Sequence, residues 1–392
     1  MKWLWIGIGM LALAGMVVAS LTSTPSSAWD AAVKWADERI STWEGDRFPV
    51  LGGRPEVGFS PADYREACRL VEALPGDLRA RIDGSGDGGG VLDDRDIEAI
   101  APIVAAMRRG ARRTRDVDRG KPRFGLCAME REQFGWEVIP QATALKALAL
   151  ATRSACAHTP GEALPLLLDE LSAAGDLACA GPGLLQLVGQ GALGSSTRAV
   201  SDDWLRAVDD ETLGALGAAL AEADAALAGS ARFLERELAN SIRVIAESPN
   251  LTANDLCLDN PLQLWSHGFS ARVLATSILA QQLEQWQDCF GALGPGASWP
   301  EYEAASASFL AATGDQVSPA LALPSPDVER TRHEARAAIV QLRQAIAFHR
   351  GREIPELADP LGTGPMQVEV DGEQATFRSV GAAFVRRARR GP

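Results

Sequence analysis

Apolar residues recur at three- and four-residue spacing along most of the chain, the mark of helices that bury one face. Trp29, Val33, Ala36, Ile40 and Trp43 predict a first helix after a short linker. Ser60-Pro61 reads as an N-cap followed by a first-turn proline, and Tyr64, Ala67, Cys68, Val71 and Leu74 form the stripe that follows, closed by Pro75-Gly76. Ile97, Ile100, Ile103, Val104 and Met107 predict another helix. From Gln141 the chain is rich in Ala and Leu: Leu145, Leu148 and Thr152 lead to a turn at His158-Thr159-Pro160-Gly161. Leu164, Leu167, Leu168 and Leu171 then lead to a break at Ala180-Gly181-Pro182-Gly183. Asp209-Asp210 caps a helix carrying Leu213, Leu216, Leu220 and Leu227, and Leu234, Leu238, Ile242 and Ile245 mark the next. A stretch over 262–290 carries Leu262, Trp265, Phe269, Val273, Leu279, Leu283, Trp286 and Phe290. Ser325-Pro326-Asp327 opens a last long helix that runs to about His349. The period then changes to two. Met366 to Val370 alternates, Asp371-Gly372 reads as a hairpin turn, and Ala375 to Val380 returns.

These elements predict a mainly α protein, an antiparallel helical bundle or irregular α/α array with a small C-terminal β-hairpin. No fixed-period repeat is present, so a regular solenoid is not expected. The expected organisation is a targeting segment over 1–20, a linker over 21–28 and an N-terminal helical region over 29–124 with an acidic Gly-rich loop. A helical body over 125–350 and a C-terminal hairpin with a basic tail over 351–392 complete it.

The first twenty residues set the expected compartment. Trp3 to Ala19 is an uncharged run of seventeen, preceded by Lys2 and followed by no cation until Lys34. That length is the lower limit for a membrane-spanning helix and long for a signal-peptide core, and the lone cation points the N-terminus to the cytoplasm. The expectation is an inner-membrane anchor over 3–19 with the body in the periplasm, or a cleaved signal and secretion to the periplasm. Val18-Ala19-Ser20 and Ser26-Ser27-Ala28 supply small residues for cleavage. Six cysteines (Cys68, Cys127, Cys156, Cys179, Cys257 and Cys289), none in a CxxC pair, lead to an expectation of disulfides in that space. The formal charge of −13 disfavours nucleic acid as a partner, and 46% apolar with 23% charged residues excludes wholesale disorder.

Three groups of residues are candidates for chemistry. The stretch from Asp83 to Ile97 holds clustered carboxylates on a Gly-rich loop and is similar to an EF-hand or dockerin-type calcium loop with two extra glycines. The expected ligands are Asp83, Ser85, Asp87, the Val91 carbonyl, Asp93 and Asp96, and the expected ion is calcium, weakly and structurally bound. The loop is two residues too long for that family and ends on Asp rather than Glu. The alternative is an acidic, flexible linker. A second group, Arg108 to Arg123, sets eight cations against two anions, and Arg386-Arg387-Ala388-Arg389-Arg390 adds four more. Such runs are ordinarily solvated; docking to an anionic partner is the other reading, and no aromatic residue interleaves the first run as single-stranded nucleic acid would require.

Catalytic signatures are the third and give little. G-x-S-x-G, S-x-x-K, H-E-x-x-H and Walker A sequences are all absent. Of the four histidines, His158, His267, His333 and His349, the last two lie about 160° apart around one helix and cannot share a metal.

In its order of parts, with Arg123-Phe124-Gly125-Leu126, the Gly181-Pro182-Gly183 break and the closing Asp359-Pro360-Leu361-Gly362-Thr363-Gly364-Pro365 phrase, the chain resembles a loosely defined class of uncharacterised, anchored or exported helical proteins from large-genome bacteria. The segment 359–381, with its Asp-Pro-x-Gly and Ser-x-Gly phrases, is similar to the C-terminal β element of type II secretion pseudopilins. Residues 1–20 lack the prepilin cleavage site and the acidic residue beyond it, so the chain is not read as a pilin. No activity follows from either resemblance. The expected function is a scaffold or binding role for an anchored or exported protein; the second expectation is an exported hydrolase-type enzyme with a site assembled from distant residues.

Overall fold

The computed structural model describes residues 26–45, 51, 62–84, 93–112, 138–180, 183–229, 233–248, 271–294, 296–313 and 327–390. Thirteen helices lie in these stretches: α1 (Ser26–Gly45), α2 (Ala62–Glu72), α3 (Gly76–Gly84), α4 (Asp94–Ala111), α5 (Val138–His158), α6 (Ala163–Ala180), α7 (Gly183–Ala199), α8 (Asp202–Ala207), α9 (Asp210–Gly229), α10 (Phe233–Glu247), α11 (Ala271–Phe290), α12 (Trp299–Thr313) and α13 (Asp327–His349). Three strands follow: β1 (Gln367–Asp371), β2 (Gln374–Arg378) and β3 (Val385–Arg389). The chain is mainly helical with a small C-terminal antiparallel sheet.

Local chemistry sets the helix starts. Asp93 caps α4, its carboxylate accepting the Asp96 N–H at 2.8 Å. Ser201 does the same for α8 through Trp204, and Asp209 accepts the Thr212 N–H at 2.7 Å at the start of α9. Between α5 and α6 the predicted turn is a single 3₁₀ turn, Pro160–Glu162.

Two compact units are present. One draws on 1–42, 232–293 and 302–326, the other on 43–231, 294–301 and 327–392. In the first, α10 packs on α11. Trp35 of α1 meets the Trp286 ring at 5.6 Å, and Phe290 stands against both Tyr302 and Phe309 of α12.

In the second unit α6 is central, with α4, α5, α7 and α9 packed around it. Small residues let α7 approach closely. A Cβ on Gly189 would lie 2.3 Å from the Ala178 nitrogen and 2.6 Å from the Ala174 oxygen, so no other residue fits there without parting the helices. On the other side of α7 runs α13, which also contacts α9 and carries the sheet against its flank.

The sheet has order β1-β2-β3, with Val368 opposite Phe377 and Phe377 opposite Arg386. Its buried face holds Ala375, Phe377, Arg386 and Ala388. Two expectations change here. Asp371 pairs with Gln374, so the turn is Gly372-Glu373, one residue later than predicted, with Gly372 at φ +58°. The predicted basic tail is largely a third strand. Arg386 donates to the carbonyls of Val200 (2.9 Å) and Thr197 (2.7 Å), closing the C-terminus of α7. Arg390 donates to the Phe348 carbonyl at 2.8 Å and lies 4.3 Å over the Phe348 ring, closing α13. Both arginines sit at a helix C-terminus, where the helix dipole favours a cation.

The loop before the sheet is tied by one carboxylate. Asp359 accepts from Leu361 N (3.0 Å), Ser379 Oγ (2.6 Å) and Val380 N (2.7 Å), and its own N–H donates to Gly364. The Asp-Pro-x-Gly and Ser-x-Gly phrases thus bind each other directly, and a Cβ on Gly381 would come within 3.0 Å of Leu361.

Cys68, Cys156, Cys179 and Cys289 are thiols, none in a disulfide, so that expectation fails for the described cysteines. The Cys68 thiol donates to Gln141 Oε1 instead, at 2.9 Å. Cys127 and Cys257 lie outside the described residues, as do 3–19. Among the described residues no helix is long and apolar enough to cross a membrane.

Candidate functional site

From Leu168 to Cys179, α6 is buried on every side, so each polar side chain it carries needs a partner within the protein. Asp169 takes two arginines, Arg108 at 2.7 Å and Arg112 at 2.8 Å. Ser172 accepts the Leu51 N–H, and Asp176 accepts from the Tyr64 hydroxyl at 2.7 Å. Glu170 is different: its partners are hydroxyls, Ser196 of α7 and Thr152 of α5.

Ser196 Oγ donates to Glu170 Oε1. Each hydroxyl also stands near its own helix, Ser196 Oγ 2.8 Å from the Ala192 carbonyl and Thr152 Oγ1 3.0 Å from the Leu148 carbonyl. Burial pushes the Glu170 pKa up, against weaker opposite pulls from the Ser196 and Thr152 hydroxyls and the Arg153 charge. Burial, with the Glu170 charge nearby, also pushes the Cys156 thiol up to about 11.

Glu170 borders a cavity of about 600 Å³, within the size range of small-molecule sites. One wall is α5, with Ala142, Leu145 and Ala149; the other is α7, with Leu187, Val188 and Ala192; Phe384, just before β3, closes a side. Three cations, Lys146, Arg153 and Arg198, stand among these apolar groups. Lys146 and Arg153 are seven residues apart, two turns along one face of α5. Lys146 donates to the Asp83 carbonyl at 2.8 Å. Among the described residues Arg198 reaches only the Ser195 hydroxyl, at 3.4 Å.

Among the described residues no histidine lines the cavity, and the Cys156 thiol is the unreactive form at neutral pH. A second, more open hollow of about 570 Å³ lies beside Ser298, Glu301 and the 356–365 loop. Its Glu301 is spent on capping, accepting from Ser298 N and Oγ at 2.7 and 2.8 Å.

Of the six expected calcium ligands, Ser85, Asp87 and Val91 lie outside the described residues. The other three have protein partners. Asp83 accepts from Thr143 at 2.6 Å and has Lys146 and Arg79 each at 4.0 Å. Asp93 is the α4 cap, and Asp96 accepts from Arg81 at 2.6 Å. A calcium ion held by all three would have to draw Asp83 and Asp96 away from these cations. Among the described residues no group of three His, Cys, Asp or Glu is placed to hold a metal ion.

The basic run from Arg108 is, as far as Arg112, paired internally: Arg108 and Arg112 with Asp169, Arg109 with Asp63. His333 is buried, its Nδ1 3.1 Å from the Pro360 carbonyl, while His349 Nε2 meets Asp202 at 2.7 Å. The two histidines serve different contacts. The cavity itself was missed in the sequence, because its carboxyl sits inside an apolar stripe and its three cations are dispersed over fifty residues; an Asp-Glu pair inside a Leu/Ala-rich helix was the available signal. Comparison of the chain with protein-family models, with curated proteins and with solved structures finds no match.

Proposed function

We propose that the protein is an anchored or exported binding protein whose helical body holds a small, mainly apolar ligand in the α5–α6–α7 cavity. The observation that carries this reading is the cavity of about 600 Å³, apolar on two helix walls and bordered by a buried carboxyl that is hydrogen-bonded to a hydroxyl. Anchoring or export is supported by the uncharged run Trp3 to Ala19 behind Lys2. Protease added to spheroplasts should then digest the body, and full protection would refute export.

The binding test uses the full chain in amphipol and a neutral solvatochromic dye such as Nile red. Saturable emission at one dye per chain is expected, above the amphipol background set by Ala149→Trp and Ala192→Trp, each of which places an indole in the cavity. Equal dye binding by all three proteins, with both variants folded by circular dichroism, would refute the reading.

A further inference from the structure

The cations at the cavity point to the kind of ligand. The chain carries an excess of thirteen acidic charges, yet Arg153 and Arg198 face this cavity with no carboxylate paired to either among the described residues. Several other arginines of the body are matched: Arg108 and Arg112 to Asp169, Arg336 to Asp224, Arg350 to Asp210. A guanidinium beside apolar walls matches the planar fork of a carboxylate or the oxygens of a phosphate. The one carboxyl among the lining residues, Glu170, feels the Arg153 charge but sits 3% exposed and is hydrogen-bonded to hydroxyls. Arg153 is exposed, as are Ser195 and Ala199, whereas Glu170 and Leu145 are buried. The cationic end is therefore the mouth and the apolar end the interior.

We infer that the ligand is a single-chain amphiphile with an anionic head, bound with its head at Arg153 and Arg198 and its chain between Leu145, Ala149 and Val188. This rests on the cavity being a binding site, and adds the polarity and orientation of what fills it. A neutral apolar ligand leaves the arginines unsatisfied, and a free inorganic anion leaves the apolar walls wet.

Displacement of the bound dye from the full chain in amphipol by decanoate, decyl phosphate, decanol and decyltrimethylammonium tests the inference. Decanoate, decyl phosphate or both should bind at least about tenfold more tightly than decanol, and decyltrimethylammonium more weakly still. The relative strength of the two anions distinguishes a carboxylate from a phosphate head. Arg153→Gln combined with Arg198→Gln should bring the anions to the affinity of decanol while leaving decanol unchanged. Decanol equal to both anions on the unaltered chain would overturn the inference, as would a preference for anions that survives the double substitution; in both cases dye binding itself would still stand. Absence of any saturable dye binding would instead remove the cavity reading beneath it.

Discussion

Arg386→Ala is expected to destabilise the protein by about 2–4 kcal/mol, from two buried carbonyls that lose their donor at about 1–3 kcal/mol each and allowing for partial relaxation. The residue is 5% exposed, and its partners Thr197 and Val200 are 0% and 4% exposed, so water cannot readily replace it. Burial has a cost that the native contacts offset: it lowers the Arg386 pKa to about 10. That is a penalty on the charged form on the order of 3 kcal/mol. Arg386→Met separates the two contributions, because it removes the charge and its desolvation yet keeps most of the apolar stem beside Phe384. Arg386→Lys keeps a charge but not the fork, and should lose about 1–2 kcal/mol with one carbonyl unserved. Urea unfolding followed by far-UV circular dichroism gives the three values. A Met variant as stable as the unaltered protein would show that carbonyl capping is not what holds β3, and an Ala loss below about 0.5 kcal/mol would refute the argument altogether.

Two further substitutions test the polar interior. Glu170 binds its proton more tightly folded than unfolded, so its contribution to stability is full below the ordinary value of 4.5 and falls as pH rises through the raised native pKa. Glu170→Gln should flatten that fall in a melting-temperature series against pH, and an unchanged slope would show that Glu170 stays ionised. Asp359→Ala removes the acceptor of three hydrogen bonds in the loop before the sheet and should cost about 2–4 kcal/mol, with Ser379→Ala costing about 1 kcal/mol. Equal losses from the two would mean the carboxylate acts only through the serine.

Helical periodicity located most of the fold because burial of one face is a local property of sequence. The last long helix runs from Asp327 to His349 as the Ser325-Pro326-Asp327 start predicts, and Asp209 caps α9. What escaped has a physical reason in each case. In α12 the buried positions are Trp299, Tyr302, Ser306 and Phe309, a stripe interrupted by a serine among alanines and so not visible as an apolar run. In β3 an arginine occupies an inward position, so an alternating strand reads as a charged tail until the helix terminus it closes is known. The α6 stripe from Leu164 to Leu171 is real, but it hides that the opposite face is buried as well, and with it Asp169, Glu170 and Asp176. The partners that make those residues tolerable come from Arg108, Ser196 and Tyr64, at sequence separations no local pattern spans.

The interleaving of the two units bears on how the chain can be cut and how it is made. A stop anywhere before α13 leaves α7 and α9 without the helix that packs on both, and a stop before residue 302 also removes part of the aromatic cluster around Phe290. No single truncation frees one intact unit from the other. During synthesis neither core can close until most of the polypeptide has left the ribosome, so proteolytic fragments and shortened expression products should be insoluble, and only permuted or full-length chains should fold.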